Sequence, residues 1–242
     1  MTTIPPIPDH VFHEAVAAFW DERIRSAEAQ RLRGMVDQGE RASVTSGQQL
    51  NGFIAKMVEL AEASGVNYNE VQLSRGEAVL PGFFRATKNW DLVIVRKQAL
   101  LASIELKSQV GPSFGNNYNN RSEEAIGSAV DLWTAFRENA FGGAASRPWL
   151  GYLFVLSDEP GSRSPVGVTT PHFPVFPEFD HASYAKRYEL LLRRLVLERH
   201  YDAACFITTD RAQAKETDNY REPAADLGAA QFLDKFLRHV AP

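Results

Sequence analysis

Between Trp90 and Ser108 the chain reads WDLVIVRKQALLASIELKS, two apolar, β-branched runs separated by the polar Arg96-Lys97-Gln98. That pattern predicts two strands joined by a short turn, an antiparallel hairpin that the rest of the chain must cover. Side chains alternate faces along a strand, so Glu105 and Lys107 share one face while Ile104 and Leu106 point the other way into apolar packing. Asp91 opens the neighbouring strand and can lie beside that pair. Acids and lysines also populate the solvated face of amphipathic hairpins, where an acid-x-Lys triplet means little. Two features count against that reading. Of the seven lysines only Lys107 has an acid two residues before it, and the triplet lies inside an apolar strand, where unexplained charges are rare. Two carboxylates able to hold a hard divalent cation, with an ammonium beside them, are what a metal-dependent phosphodiesterase needs.

The 242-residue chain, 44% hydrophobic and 23% charged, is long enough to bury a substantial core. The simplest expectation is one domain over residues 1–242, with a core at about 48–156 and helical additions at both ends. No apolar run approaches the length of a membrane span, and MTTIPPIPDH lacks the pattern of a secretory signal, so a cytoplasmic protein is expected. The single cysteine, Cys205, excludes an intrachain disulfide and reads as a buried hydrophobe. A net charge of −4 argues against non-specific coating of nucleic acid, which rests on neutralising many phosphates. It leaves room for a sequence-specific binder, since arginine outnumbers lysine 19 to 7 and its planar fork suits guanine edges and phosphates. A GC-rich genome explains the same bias.

In chain order, helical periodicity predicts a helix from about Asp9 to Arg33 with Phe12, Val16, Phe19 and Trp20 on one face, then a loop over Gly34 to Gly47. A second helix, about Gln48 to Ala63, ends before Gly65; its Glu59 projects away from the apolar stripe and reads as a solvated acid rather than a metal ligand. A short strand at Val71 to Leu73 and the segment Val79 to Phe84 lead into the hairpin. Beyond it, Gly111 to Asn120 is rich in turn residues, followed by a helix from about Arg121 to Asn139 and a strand at Leu150 to Leu156. A long loop with five prolines, too aromatic around Pro171 to Pro177 for a solvated linker, precedes a basic helix from about Ser183 to Arg199. A strand at Ala203 to Thr208 and a helix from about Ala224 to Val240 complete the chain. The fold class is therefore α/β, a mixed central sheet flanked by helices.

Gly111-Pro-Ser-Phe-Gly115 matches the G-x-S-x-G of serine hydrolases, with Asp158 and His172 downstream in the right order. An elbow passes from nucleophile straight into helix, whereas here Asn116 to Asn120 are expected to intervene, and no His-Gly element upstream offers a second oxyanion donor.

Three runs carry a more specific likeness: LPGFFRATKNWD, IELKSQVGPSFGNNYNNRSEEAIGSAVDL and PHFPVFPEFDHASYAKRYE. They resemble the XhoI family of Type II restriction endonucleases, within the PD-(D/E)XK nuclease superfamily, from about Phe19 to Glu189 and most strongly between Leu80 and Leu132. The resemblance implies a restriction-endonuclease-like core and a Mg²⁺-dependent homodimer that cuts both strands of double-stranded DNA at the palindrome CTCGAG. It implies that Asp91 fills the first acid position, Glu105 the second and Lys107 the lysine, with the Leu106 carbonyl as a further metal ligand. Trp90 stands where the motif has proline, a position that varies widely.

Asn116, Asn117, Asn119, Asn120 and Arg121, between the catalytic strand and a helix N-terminus, are the expected DNA contacts, together with Lys88; the competing reading of the asparagines is turn chemistry. A palindrome read by a two-fold dimer needs a contact surface, and the helices near Val11 to Arg25 and Ala224 to Val240 are expected to supply it. Two other classes remain open on the sequence: a structure-specific or repair nuclease of the same fold, and a DNA-binding module without catalysis.

Overall fold

A computed structural model describes residues 4–32, 48–73, 76–142 and 146–242. The expected hairpin is its centre. β4 (Leu92–Arg96) and β5 (Ala99–Gln109) pair antiparallel, joined by Lys97 and Gln98, both at positive φ as a tight two-residue hairpin turn requires. β1 (Val71–Gln72) adds antiparallel to β4, while β6 (Trp149–Ser157) and β7 (Ala203–Thr209) add parallel to β5, giving the order β1-β4-β5-β6-β7. This is a five-stranded mixed sheet. β6 and β7 are buried along their whole lengths, the mark of strands covered on both faces.

Helices cover both sides. α1 (His13–Leu32), α2 (Asn51–Ala63) and α6 (Ala229–Val240) pack Val16, Phe19, Phe53, Met57, Phe232 and Phe236 against Leu92, Ile104 and Leu106. α3 (Phe114–Arg137) and α5 (Tyr184–Leu197) pack against Val93, Tyr152, Phe154 and Phe206 on the other face. The sheet thus runs past residue 156, and the terminal helices are part of the core rather than additions to it. Their apolar faces pack on the sheet, so a dimer contact from these helices would have to use their outer, polar faces. Among the described residues no helix is long and apolar enough to cross a membrane.

Two departures bear on function. β2 (Val79–Pro81) and β3 (Thr87–Asn89) form a separate small hairpin just before Asp91. α3 begins at Phe114, so the asparagine stretch is helix, not loop. The cause is tertiary: Phe114 stacks on Tyr184 with centroids 5.8 Å apart, and Tyr118, one turn on, meets Tyr188 edge-to-face at 5.2 Å. These anchors on α5 outweigh the preference of asparagine for turns. The first helix likewise starts at His13 rather than Asp9, and the expected loop over Gly34 to Gly47 lies outside the described residues. Cys205 is buried, and Glu59 is exposed and paired with Lys56.

Candidate nuclease active site

The register of the central hairpin decides which side chains meet. Leu92 lies opposite Ile104, which sets Asp91 opposite Glu105. The Asp91 backbone N–H donates to the Ile104 carbonyl at 3.2 Å, and its carboxylate Oδ2 accepts the Leu106 N–H at 2.7 Å. Within a strand, one residue's N–H and C=O point toward the same neighbour, so the Leu106 carbonyl is directed to the Asp91 side as well. Ile104 and Leu106 belong to the α1 face; Glu105 and Lys107 therefore stand on the α3 face, beside Tyr152 and Phe154, their register partners on β6.

Glu105 is nearly sealed from solvent, and both its oxygens are taken: Oε1 by Lys107 Nζ and Oε2 by Lys88 Nζ at 2.7 Å. The Lys88 ammonium also sits 4.5 Å from the Trp90 ring centre. Burial opposes a charge on Glu105, but the Lys107 and Lys88 ammoniums outweigh it and hold the carboxyl below its ordinary range. On Lys107 burial works against the charge, and the carboxylates of Glu105 and Asp91 reverse the balance and raise its pKa. Asp91 is the uncomfortable member. Burial, then the charge of Glu105, push it up to about 6 despite Lys107, the Leu106 N–H and Lys88.

The expected DNA contacts divide by position on α3. Asn116, Asn119 and Asn120 are exposed, whereas Asn117 and Arg121 turn partly inward. Arg121 donates to Glu124 at 2.5 Å, and its Nε is buried without a protein partner. Its charge is felt at Lys107, Tyr152 and Tyr188, placing it over the charged face of the sheet. The hydroxyls of Ser103, Tyr152 and Tyr188 are also buried and, among the described residues, without partners. Lys88 stands inside the acid cluster rather than at the periphery. Tyr152 and Tyr188 carry no local sequence signal, since each reads as ordinary apolar core.

The serine-hydrolase pattern fails for a reason other than the expected one. The helix does start directly after Ser113, but Ser113 and His172 are exposed, and among the described residues neither bonds to Asp158, which instead pairs with Arg163 and Arg221.

Among the described residues no third carboxylate, His or Cys joins Asp91 and Glu105 in a metal-sized group. The donors present, two carboxylates and a carbonyl, are hard oxygens that suit Mg²⁺ completed by waters and phosphate oxygens.

A family model for restriction endonuclease XhoI matches residues 29–221. The chain is 51% identical over 210 residues to the Type II restriction enzyme BstVI of Geobacillus stearothermophilus, covering 85% of this chain and 92% of that protein. It is 46% identical over 160 residues to the Type II restriction enzyme AbrI of Azospirillum brasilense, covering 66% and 71% respectively. With the Type II restriction enzyme XhoI of Xanthomonas vasicola the identity is 44% over 191 residues, 78% of this chain and 76% of that one. No solved structure matches the chain.

Proposed function

Since this chain belongs to the XhoI family of Type II restriction endonucleases, we propose that it hydrolyses both strands of double-stranded CTCGAG, after the first cytosine, in a Mg²⁺-dependent reaction. In this reading it acts as a cytoplasmic homodimer, the endonuclease of a restriction–modification system. The observation that carries the reading is Asp91 opposite Glu105, with Lys107 bonded to Glu105 from the same strand.

Asp91, Glu105 and the Leu106 carbonyl would hold the metal. Magnesium, when bound, lowers the pKa of a coordinated water and polarises the phosphoryl oxygen. Lys107 orients the attacking water and offsets charge that develops on the phosphate in line with it. The side chains alone balance, two carboxylates against two ammoniums, so they favour metal and phosphate together over metal alone. Lys88 is the natural ammonium to leave Glu105 for the DNA backbone, because it comes from a separate hairpin. Arg121, turned toward Lys107, suits a phosphate better than a guanine edge. The exposed Asn116, Asn119 and Asn120, with Asn117 behind them, are the candidates for base edges.

A plasmid holding one CTCGAG site tests the proposal directly. The expected result is a single linear product whose mapped ends lie after the first cytosine on both strands, lost with a chelator and lost in Glu105→Gln. Cleavage elsewhere, or none at this sequence, overturns the assigned site.

A further inference from the structure

The small hairpin β2–β3 presents a largely exposed apolar tip. Leu80 pairs with Lys88 and Pro81 with Thr87, and the turn Gly82 to Ala86 carries Phe83 and Phe84, 52% and 69% exposed, their rings 5.0 Å apart in edge-to-face contact. This tip is held firmly. One oxygen of Asp131, on α3, accepts the N–H groups of Phe83 at 2.8 Å and Phe84 at 2.7 Å, and the other accepts Arg85 Nε at 2.8 Å. Arg85 also reaches Ser128 at 3.3 Å. A Cβ at position 82 would lie 2.5 Å from the Asp131 carboxylate and 2.6 Å from the Arg85 carbonyl, so the turn closes only with glycine. Asp131 itself has a side chain only 5% exposed. A carboxylate is thus buried, and its bonding capacity spent, to fix a backbone whose product is two phenyl rings in water. Against the cost of burial, the bonds to Phe83, Phe84 and Arg85 hold the Asp131 carboxyl below its usual range, so the buried charge is well compensated. The two large apolar rings it fixes in water are not, which makes sense as a preformed contact.

The occupant follows from what the same hairpin does at its other end. Lys88, four residues from Phe84, bonds Glu105 at 2.7 Å. Four residues span at most roughly 14 Å, and the grooves of B-DNA are about 6–12 Å wide. A duplex with a phosphate at Glu105 therefore has groove and base-pair edges within reach of the tip. The hairpin carries Arg85, which stays 44% exposed beside Asp131, and Lys88, which pairs with Glu105, and no acid of its own to repel a polyanion. We infer that Phe83 and Phe84 form a rigid apolar wedge that packs against the bases flanking the cleaved phosphate. Aromatic side chains act on DNA in this way by stacking on or parting a base step, and a preformed wedge loses little entropy on binding.

This inference rests on the nuclease reading above, and the test separates the two. The paired substitution Phe83→Ser with Phe84→Ser changes exposed side chains only, so an unchanged melting temperature is expected. Binding to a labelled CTCGAG duplex, with Ca²⁺ replacing Mg²⁺ to hold cleavage off, should weaken by about ten- to a hundredfold. A 2-aminopurine placed beside the cut should brighten with the parent protein and stay dim with the variant, while the variant Phe83→Leu with Phe84→Leu retains intermediate affinity. Parent-like binding and cleavage by the serine variant would leave the nuclease reading standing and overturn the wedge. So would an altered oligomeric state in the absence of DNA with unaltered affinity per assembly, which would assign the rings to a second copy of the chain. A parent protein that neither binds nor cuts the duplex overturns both.

Discussion

The two faces of the β4–β5 hairpin are made from alternate residues of the same strands and have opposite economies. Toward α1, α2 and α6, Leu92, Ile94, Ile104 and Leu106 disappear into apolar packing with Phe53, Phe232 and Phe236. Toward α3 and α5, the same strands offer Glu105 and Lys107, with Asp91 and Lys88 close by and three buried hydroxyls that lack partners among the described residues. Burial on the first face stabilises the fold, whereas burial on the second gathers charge that water would otherwise solvate. A single hairpin can therefore serve both the core of the molecule and its candidate reactive centre, because strand alternation keeps the two faces apart by one residue.

The sharpest way to break the contrast is to substitute one residue on each face. Glu105→Gln or Lys107→Ala should lower cleavage of a cognate duplex by at least about 10²–10³-fold, as expected on removing a group that meets developing charge. Neither should unfold the protein, and their losses should not add in the double variant, since both act at one centre. Single-turnover rates and melting curves measure this. Near-normal cutting by either variant would remove that residue from the chemistry.

Phe232→Ala supplies the opposite case. Phe232 is 1% exposed and meets Trp149 at 5.3 Å, so its truncation leaves a cavity and should cost about 3–5 kcal/mol in urea unfolding. The cleavage rate of the molecules that remain folded should be unchanged. A rate loss without a stability loss would mean that the apolar face is coupled to the site.

Asp91 should show the charged face acting against stability. Its carboxyl, pushed up to about 6 by burial and then by Glu105, keeps its proton in the folded state at pH values where the unfolded chain has released it. The metal-free fold is therefore favoured by this group at low pH, and that contribution is lost as pH rises through about 6. Asp91→Asn retains an oxygen to accept the Leu106 N–H and removes the charge. In the presence of chelator it should raise stability by up to about 3 kcal/mol at pH 8, two pKa units' worth, and by little at pH 4. Urea titrations at the two pH values decide it; an equal gain at both would trace the effect to something other than charge.

Local pattern made the heart of this site readable and left its surroundings opaque. Asp91, Glu105 and Lys107 fall within seventeen residues on two adjoining strands, so alternation and a short turn suffice to bring them together. Lys88 required knowing that Val79 to Asn89 folds back on itself, and a tip of Gly-Phe-Phe-Arg gave no clear turn signal beyond Pro81-Gly82. The start of helix α3 is not legible locally because its first turns are held by Tyr184 and Tyr188, far along the chain, against the local preference of four asparagines. Tyr152 meets Glu105 only through the parallel register of β5 and β6, separated by a helix, and no local spacing encodes that register. The short-range signals found the acids; long-range pairing supplied what surrounds them.

Tyr152→Phe is the finest probe of the contrast, and it should have the smallest effect. The Tyr152 ring is fully buried against Tyr201 and Phe154, so its packing survives the change, while its hydroxyl, beside Glu105 in register, has no protein partner. A buried hydroxyl left unsatisfied costs about 1–3 kcal/mol, whereas a satisfied one contributes about 1. If the charged face holds polar groups in reserve for substrate, removing this hydroxyl should leave the metal-free protein as stable as before or up to about 1 kcal/mol more stable. Cleavage should fall only a fewfold, through the position of Glu105, with the loss in the rate constant rather than in DNA affinity. A drop in stability would show instead that the hydroxyl is bonded in the resting protein, through water, and that this part of the charged face is structural in the same sense as the face behind it.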